Sequence, residues 1–139
     1  MRHTEVLFAE DSTGDALLMV QILSEVFPTV KLTVARDGAQ ALTMLADPTF
    51  QPALIIVDLN LPMVSGFELL QRRPRPEIPM VVFSSSRNPA DRDLAVASGA
   101  REYFTKPALL GDYRDTVVAM IRRWAMPGSD ATEMASLGG

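Results

Sequence analysis

The stretch Ala53-Leu54-Ile55-Ile56-Val57-Asp58-Leu59-Asn60-Leu61-Pro62 decides the fold. Its first five residues form a short apolar run rich in β-branched side chains. Such a run reads as a strand buried on both faces of a sheet. A carboxylate then stands where that strand ends, followed by turn residues. In open α/β sheets, ligands bind in the crevice outside the carboxyl ends of the strands. An acid at that place is either a turn or capping residue, or it is chemistry.

Outward from this strand, short apolar runs alternate with helical patterns. Val6–Ala9 is a first strand, ending at Glu10-Asp11-Ser12. From Asp15 to Phe27, the residues Leu17, Val20, Leu23, Val26 and Phe27 follow helical spacing, and Pro28 stops the helix. Leu32–Ala35 is a second strand. Asp37 caps a helix from Gly38 to Leu45. A short third helix, Gly66–Arg72, is clipped by Pro74 and Pro76. Met80–Phe83 is the fourth strand, and Ser84-Ser85-Ser86 follow it. Asn88-Pro89 reads as a cap and first helical position, with Gly99 as the stop of that helix. Glu102–Thr105 is the fifth strand, followed by Lys106-Pro107. A last helix from Leu110 to Trp124 places Tyr113, Val117, Met120, Ile121 and Trp124 on one face.

Five strand-helix units imply an α/β fold, a doubly wound five-stranded parallel sheet with helices on both faces. The expected division is one domain over residues 1–126 and a flexible C-terminal tail over 127–139, rich in small and polar residues. Hydrophobic residues are 47% of the 139 and charged residues 22%, a globular composition with room for a core. The net charge of −4 argues against nucleic-acid or anionic-membrane partners. No apolar run reaches the roughly 20 residues of a membrane span, and Met1–Glu5 has no secretory h-region. A cytoplasmic protein is expected. The chain has no cysteine, which excludes disulfides, thiolate metal sites and a cysteine nucleophile.

The informative polar residues all follow strands: Glu10 and Asp11, Asp58, Ser84, and Lys106. Parallel strands bring these positions to one edge of the sheet. Carboxylates crowded there repel one another, and desolvation raises their pKa values further. Mg2+ relieves both effects, since it favours oxygen ligands and takes one or two carboxylates while keeping several waters. A carboxylate beside it can attack a phosphoryl group to form an acyl phosphate. Lys106 would neutralise phosphoryl oxygens, and the Ser84 hydroxyl could donate to one.

On these residues the chain resembles a response-regulator receiver domain, with the (βα)5 flavodoxin-like fold of single-domain chemotaxis-type regulators. The resemblance spans roughly residues 5 to 124. It rests on Glu10-Asp11, on Asp58-Leu59-Asn60-Leu61-Pro62 with Gly66, on Ser84-Ser85 and on Lys106-Pro107. It implies that Asp58 accepts a phosphoryl group from a histidine kinase. It implies that Asp11, Asp58 and the Asn60 carbonyl hold Mg2+, with Glu10 acting mainly through water. Lys106 and Ser84 would bind the phosphoryl group, and Tyr103 would occupy the aromatic switch position. A cis bond before Pro107 is expected. Gly14-Asp15, the serine run and Trp124 add a narrower similarity, to stand-alone regulators paired with phytochrome-type kinases. That similarity implies a homodimer formed through the last strand and helix.

The resemblance makes the chain a phosphoacceptor switch rather than an enzyme, with output to a downstream protein partner or a phosphotransfer protein. Two other functions fit the fold. One is a Mg2+-dependent phosphatase with an aspartyl nucleophile, which would need a second aspartate where Asn60 stands. The other is a phosphorylation-silent binding module. The glutamate at Glu10, where aspartate is commoner, and the proline-rich segment Gln71–Glu77 depart from the usual receiver pattern.

Overall fold

The computed structural model describes residues 3–127. The strands are β1 (Thr4–Ala9), β2 (Val30–Ala35), β3 (Leu54–Val57), β4 (Met80–Ser84) and β5 (Tyr103–Thr105). The helices are α1 (Thr13–Val26), α2 (Gly38–Ala46), α3 (Gly66–Arg72), α4 (Pro89–Ala97) and α5 (Leu110–Met120), and α5 runs on into a π-helical turn, Ile121–Ala125. The strands form one sheet of order β2-β1-β3-β4-β5, and every pairing is parallel. This is the flavodoxin-like order that the resemblance implies.

Alternation along the strands divides the core. Val6, Phe8, Leu54, Ile56, Val81 and Phe83 face α1 and α5. Leu7, Ala9, Ile55, Val57, Val82 and Tyr103 face the other way, where residues of α2, α3 and α4 cover them. All four residues of β3 are buried, as a central parallel strand requires. The caps follow from the sequence. Asp37 accepts from the Gln40 N–H, Asn88 accepts from the Ala90 N–H with Pro89 in the first turn, and Gly99 takes φ 115° after α4. Ser12 and Ser65 also cap helices, by accepting from the Asp15 and Glu68 N–H groups. The sequence reading had assigned neither of them.

Several expectations need correction. The α1 stripe is only partly buried: Leu23 and Phe27 face the core, but Leu17 is 64% exposed and Val20 44%. The buried face is Ala16, Met19, Ile22 and Leu23. Apolar residues lie on both sides of this helix, so spacing alone does not choose between them. The last helix is not α-helical to Trp124, because its final turn widens to π geometry at Ile121. Trp124 packs against the α1/α5 core, and its indole N–H donates to Glu102 at 2.7 Å. The bond before Pro107 is trans, as all peptide bonds among the described residues are. Trans is the form an X–Pro bond favours by about 0.5–1 kcal/mol. The tail expected from residue 127 lies outside the described residues, apart from Pro127.

Candidate functional site at the C-terminal edge of the sheet

Strand register builds the site. Ala9 pairs with Val57 across β1 and β3, so the next residues, Glu10 and Asp58, emerge side by side. The Asp58 N–H donates to the Ala9 carbonyl at 3.1 Å. The chain leaves β1 toward β2 on one side, while β3 lies on the other, which makes the β1/β3 edge the topological switch point of the sheet. Across β4 and β5, Ser84 pairs with Thr105, and the Lys106 N–H donates to the Ser84 carbonyl at 2.7 Å. Lys106 therefore leaves the sheet beside Ser84.

Two glycines seat the loop that carries Asp58. A Cβ on Gly66 would lie 2.3 Å from the Asp58 carbonyl oxygen and 2.7 Å from the Leu59 Cα. The Gly66 N–H donates to the Leu59 carbonyl at 3.0 Å, so α3 starts directly against the Asp58 backbone. A Cβ on Gly38 would strike the Val64 carbonyl oxygen at 1.8 Å, farther along the same loop. At the tip of the loop, Met63 has φ 71°, a left-handed conformation that side chains with a Cβ disfavour.

The side chains converge on Lys106. Its ammonium lies 2.5 Å from Glu10 Oε1, 3.0 Å from Asp58 Oδ2 and 3.2 Å from Asp15 Oδ2. The Phe83 ring stands 5.8 Å away, within cation–π range. Glu10 is 1% exposed, and Asp58 and Ser84 are also buried. Burial and the Asp58 charge push the Glu10 carboxyl from 4.5 up to about 7, although Lys106 and the Ser12 N–H pull it down. Burial alone would lower the Lys106 pKa, but its bonds to Glu10 and Asp58 raise it well above the ordinary value. Lys106 is therefore a permanent cation between two buried carboxyl groups.

Asp11 is exposed, and its backbone carbonyl accepts from Arg36 at 2.9 Å. Asp58 Oδ1 accepts from the Asn60 N–H at 3.2 Å. The buried Ser84 hydroxyl accepts from the Ser86 N–H, and Ser86 Oγ donates to Asp91 at 2.6 Å. Tyr103 is buried, and its hydroxyl donates to the Ser86 carbonyl at 2.9 Å, tying β5 to the segment after β4. The structure thus groups Glu10, Asp58 and Lys106 by direct contact, and links Ser84 to Tyr103 through Ser86.

Asp15 and Tyr113 were not read as site residues. The Tyr113 hydroxyl donates to Asp15 Oδ1 at 2.6 Å, and Asp15 also meets Lys106. Burial would raise the Asp15 carboxyl, but Tyr113, Lys106 and Ser12 outweigh it and hold the carboxyl below the usual aspartate value. Burial and the Asp15 hydrogen bond raise the Tyr113 hydroxyl far above the ordinary tyrosine range. The available signal was that Asp15 lies in the first turn of a helix opening onto the strand edge. Tyr113 registered only as part of an apolar stripe.

The donor set fits a hard divalent ion. All its candidate ligating atoms are oxygens: two carboxyl groups, Glu10 and Asp58, are buried, and a third, the exposed Asp11, is next in sequence to Glu10. Among the described residues, no three acidic or histidine side chains close into an all-protein cage. Mg2+ does not need one, because it keeps several waters.

The family described as response regulator receiver domain matches residues 6–118. The chain belongs to the response-regulator receiver family. This receiver domain is similar to the two-component response regulator ARR17 of Arabidopsis thaliana, at 33% identity, over 77% of this chain and 78% of that protein. Among solved structures it resembles the phosphorylated cyanobacterial phytochrome response regulator RcpA, with a TM-score of 0.84 and 27% identity, over 91% of this chain and 96% of that one. It also resembles the Mn2+-bound form of response regulator Rcp1, with a TM-score of 0.79 and 29% identity, over 88% and 95% of the two chains. Other relatives are longer. The chain spans 46% of the transcriptional regulatory protein PrrA of Mycobacterium leprae and 36% of the protein-glutamate methylesterase of Trichodesmium erythraeum. Receiver domains bind Mg2+ and accept phosphoryl groups from histidine kinases. Among the described residues, no helix is long and apolar enough to cross a membrane.

Proposed function

We propose that residues 1–126 form a receiver switch in which Asp58 accepts a phosphoryl group from a histidine kinase. The observation that carries this reading is the buried Glu10–Lys106–Asp58 cluster at the switch point of the sheet. Asp58 presents a carboxylate oxygen at the loop that Gly66 seats against α3. That oxygen forms a new bond to phosphorus as the bond from phosphorus to the donor breaks. Lys106 is the fixed cation that meets the added negative charge. Ser84 Oγ accepts from the Ser86 N–H, which leaves its O–H to donate to a phosphoryl oxygen. Asp11, Asp58 and the Asn60 carbonyl would hold Mg2+, with Glu10 through water, and the ion would neutralise charge on the transferring group.

Tyr103 supplies the readout. Its hydroxyl rests on the Ser86 carbonyl, two residues from Ser84, so a movement of Ser84 reaches β5 and the surface beside α4. The kinase is of phytochrome type, a reading supported by the likeness to RcpA. The protein works as a homodimer through the end carrying β5 and α5, where Leu109 and Leu110 are exposed. Its output is contact with a downstream protein or phosphotransfer protein, in the cytoplasm.

The test is intact mass after incubation with Mg2+ and acetyl phosphate. Wild type should gain one phosphoryl group, and Asp58→Asn should not. An equal gain in the variant, or none in wild type, would overturn the reading. Light scattering with and without beryllofluoride tests the dimer, which a single unchanged monomer would refute.

A further inference from the structure

Lys106 is crowded by carboxylates. Its ammonium donates to Glu10 and Asp58 and forms an ion pair with Asp15 at 3.2 Å. A phosphoryl group on Asp58 brings further negative charge to the same ammonium, so one of these partners has to give way.

The three contacts are not equally easy to break. Glu10 is almost wholly buried, and apart from Lys106 its carboxylate meets, among the described residues, only the Ser12 N–H, at 3.2 Å. Asp58 is the residue that would carry the phosphoryl group. Asp15 holds Lys106 at the longest distance, 3.2 Å, and its side chain is 23% exposed against 1% for Glu10 and 10% for Asp58. Asp15 also keeps another strong donor, the Tyr113 hydroxyl at 2.6 Å. Released from Lys106, it remains hydrogen-bonded and partly hydrated. A buried carboxylate stripped of its partner bears the full desolvation penalty, and Asp15 avoids it.

We infer that Asp15 is a placeholder for the phosphoryl oxygen, holding Lys106 by an ion pair in the resting protein and yielding it on phosphorylation. Asp15 keeps the ammonium oriented in the resting protein and competes with the phosphoryl group for it. Tyr113 weakens that competition, because a carboxylate satisfied by the hydroxyl needs Lys106 less. Both are positioning residues that act through Lys106. The two effects on the phosphorylated form are opposite in sign although the residues are bonded to each other.

This inference rests on the phosphoacceptor reading of Asp58, and the experiment separates the two. Beryllofluoride affinity is measured by calorimetry at saturating Mg2+ for wild type, Asp15→Asn, Tyr113→Phe and the double variant. Asp15→Asn should tighten binding about two- to fivefold, the range of a partly exposed charge pair. Tyr113→Phe should weaken it by a similar factor, with no change of charge, and should have no effect once Asp15 is Asn. Shifts in the same direction, or an undiminished Tyr113→Phe effect in the double variant, overturn the placeholder. A second measurement needs no variant: the carboxyl 13C resonance of Asp15 in wild type should move when beryllofluoride binds. A stationary resonance also overturns the placeholder. A wild type that takes up neither beryllofluoride nor a phosphoryl group overturns the phosphoacceptor reading itself.

Discussion

Replacing Glu10 with Gln should stabilise the metal-free protein at high pH and leave it unchanged at low pH. Glutamine copies the shape of the protonated glutamic acid. Its carbonyl oxygen still accepts from Lys106, which now meets Glu10 Oε1 at 2.5 Å. The Glu10 carboxyl titrates near 7 in the fold rather than at its ordinary 4.5, because burial and the Asp58 charge oppose ionisation more than Lys106 favours it. Between these two pH values the folded protein holds a proton that the unfolded chain has released. Stability therefore falls as pH rises through this window, and the loss is complete above pH 7. At 1.36 kcal/mol per pH unit, ionised Glu10 costs about 3 kcal/mol. The variant lacks this slope. Urea denaturation in EDTA from pH 4 to 8.5 measures it. The two proteins should coincide near pH 4 and diverge to about 3 kcal/mol by pH 8, with the variant the more stable. Saturating Mg2+ should narrow the gap, since the ion binds the charged form of the site. A variant less stable than wild type at pH 8, or a constant offset across the range, would refute this account of Glu10.

Three other perturbations test the scaffold. Gly66→Ala forces a methyl group onto the Asp58 carbonyl and Leu59, and should lower stability by about 2–3 kcal/mol in denaturant melts, as overpacking does. Met63→Gly removes a left-handed conformation at a residue 82% exposed; it should raise the melting temperature by the equivalent of about 1 kcal/mol, less the entropy that glycine adds to the unfolded chain. Asp37→Ala removes the 2.7 Å bond to the Gln40 N–H that starts α2 and should cost about 1 kcal/mol in the same assay.

The fold was legible in the sequence because its punctuation is strong. α3 begins at Gly66 and ends at Arg72 as read, since glycine and two prolines bracket it. β3 stands out as an unbroken apolar run rich in β-branched residues, and it proves to be the central strand. α1 was legible as a helix but not in its orientation. Leu17 and Val20 are as apolar as the buried Met19 and Ile22, and only tertiary packing selects between those faces. The π turn at Ile121 leaves no mark in hydrophobic spacing, because an α-helix and a π-turn over so few residues bury much the same side of the chain.

The candidate site divides in the same manner. Glu10, Asp58, Ser84 and Lys106 could be found because each ends or immediately follows a strand, and parallel pairing then fixes their proximity. Asp15 and Tyr113 could not. They sit on helices, and their meeting depends on how α1 and α5 lie against each other across Phe83, whose ring is 5.1 Å from that of Tyr113. Sequence spacing carries no information on that distance. The trans bond before Pro107 likewise departs from what the resemblance implied.

The division of the core keeps two tyrosines apart. Tyr103 belongs to the cluster beneath α2, α3 and α4, and Tyr113 to the cluster beneath α1 and α5. The β-sheet lies between them, and each hydroxyl reaches the strand edge from its own face, Tyr103 at the Ser86 carbonyl and Tyr113 at Asp15. Repacking Leu69 or Val82 should therefore loosen the Tyr103 contact first, and repacking Met19 or Val117 the Tyr113 contact, so the two faces of one edge can be altered separately.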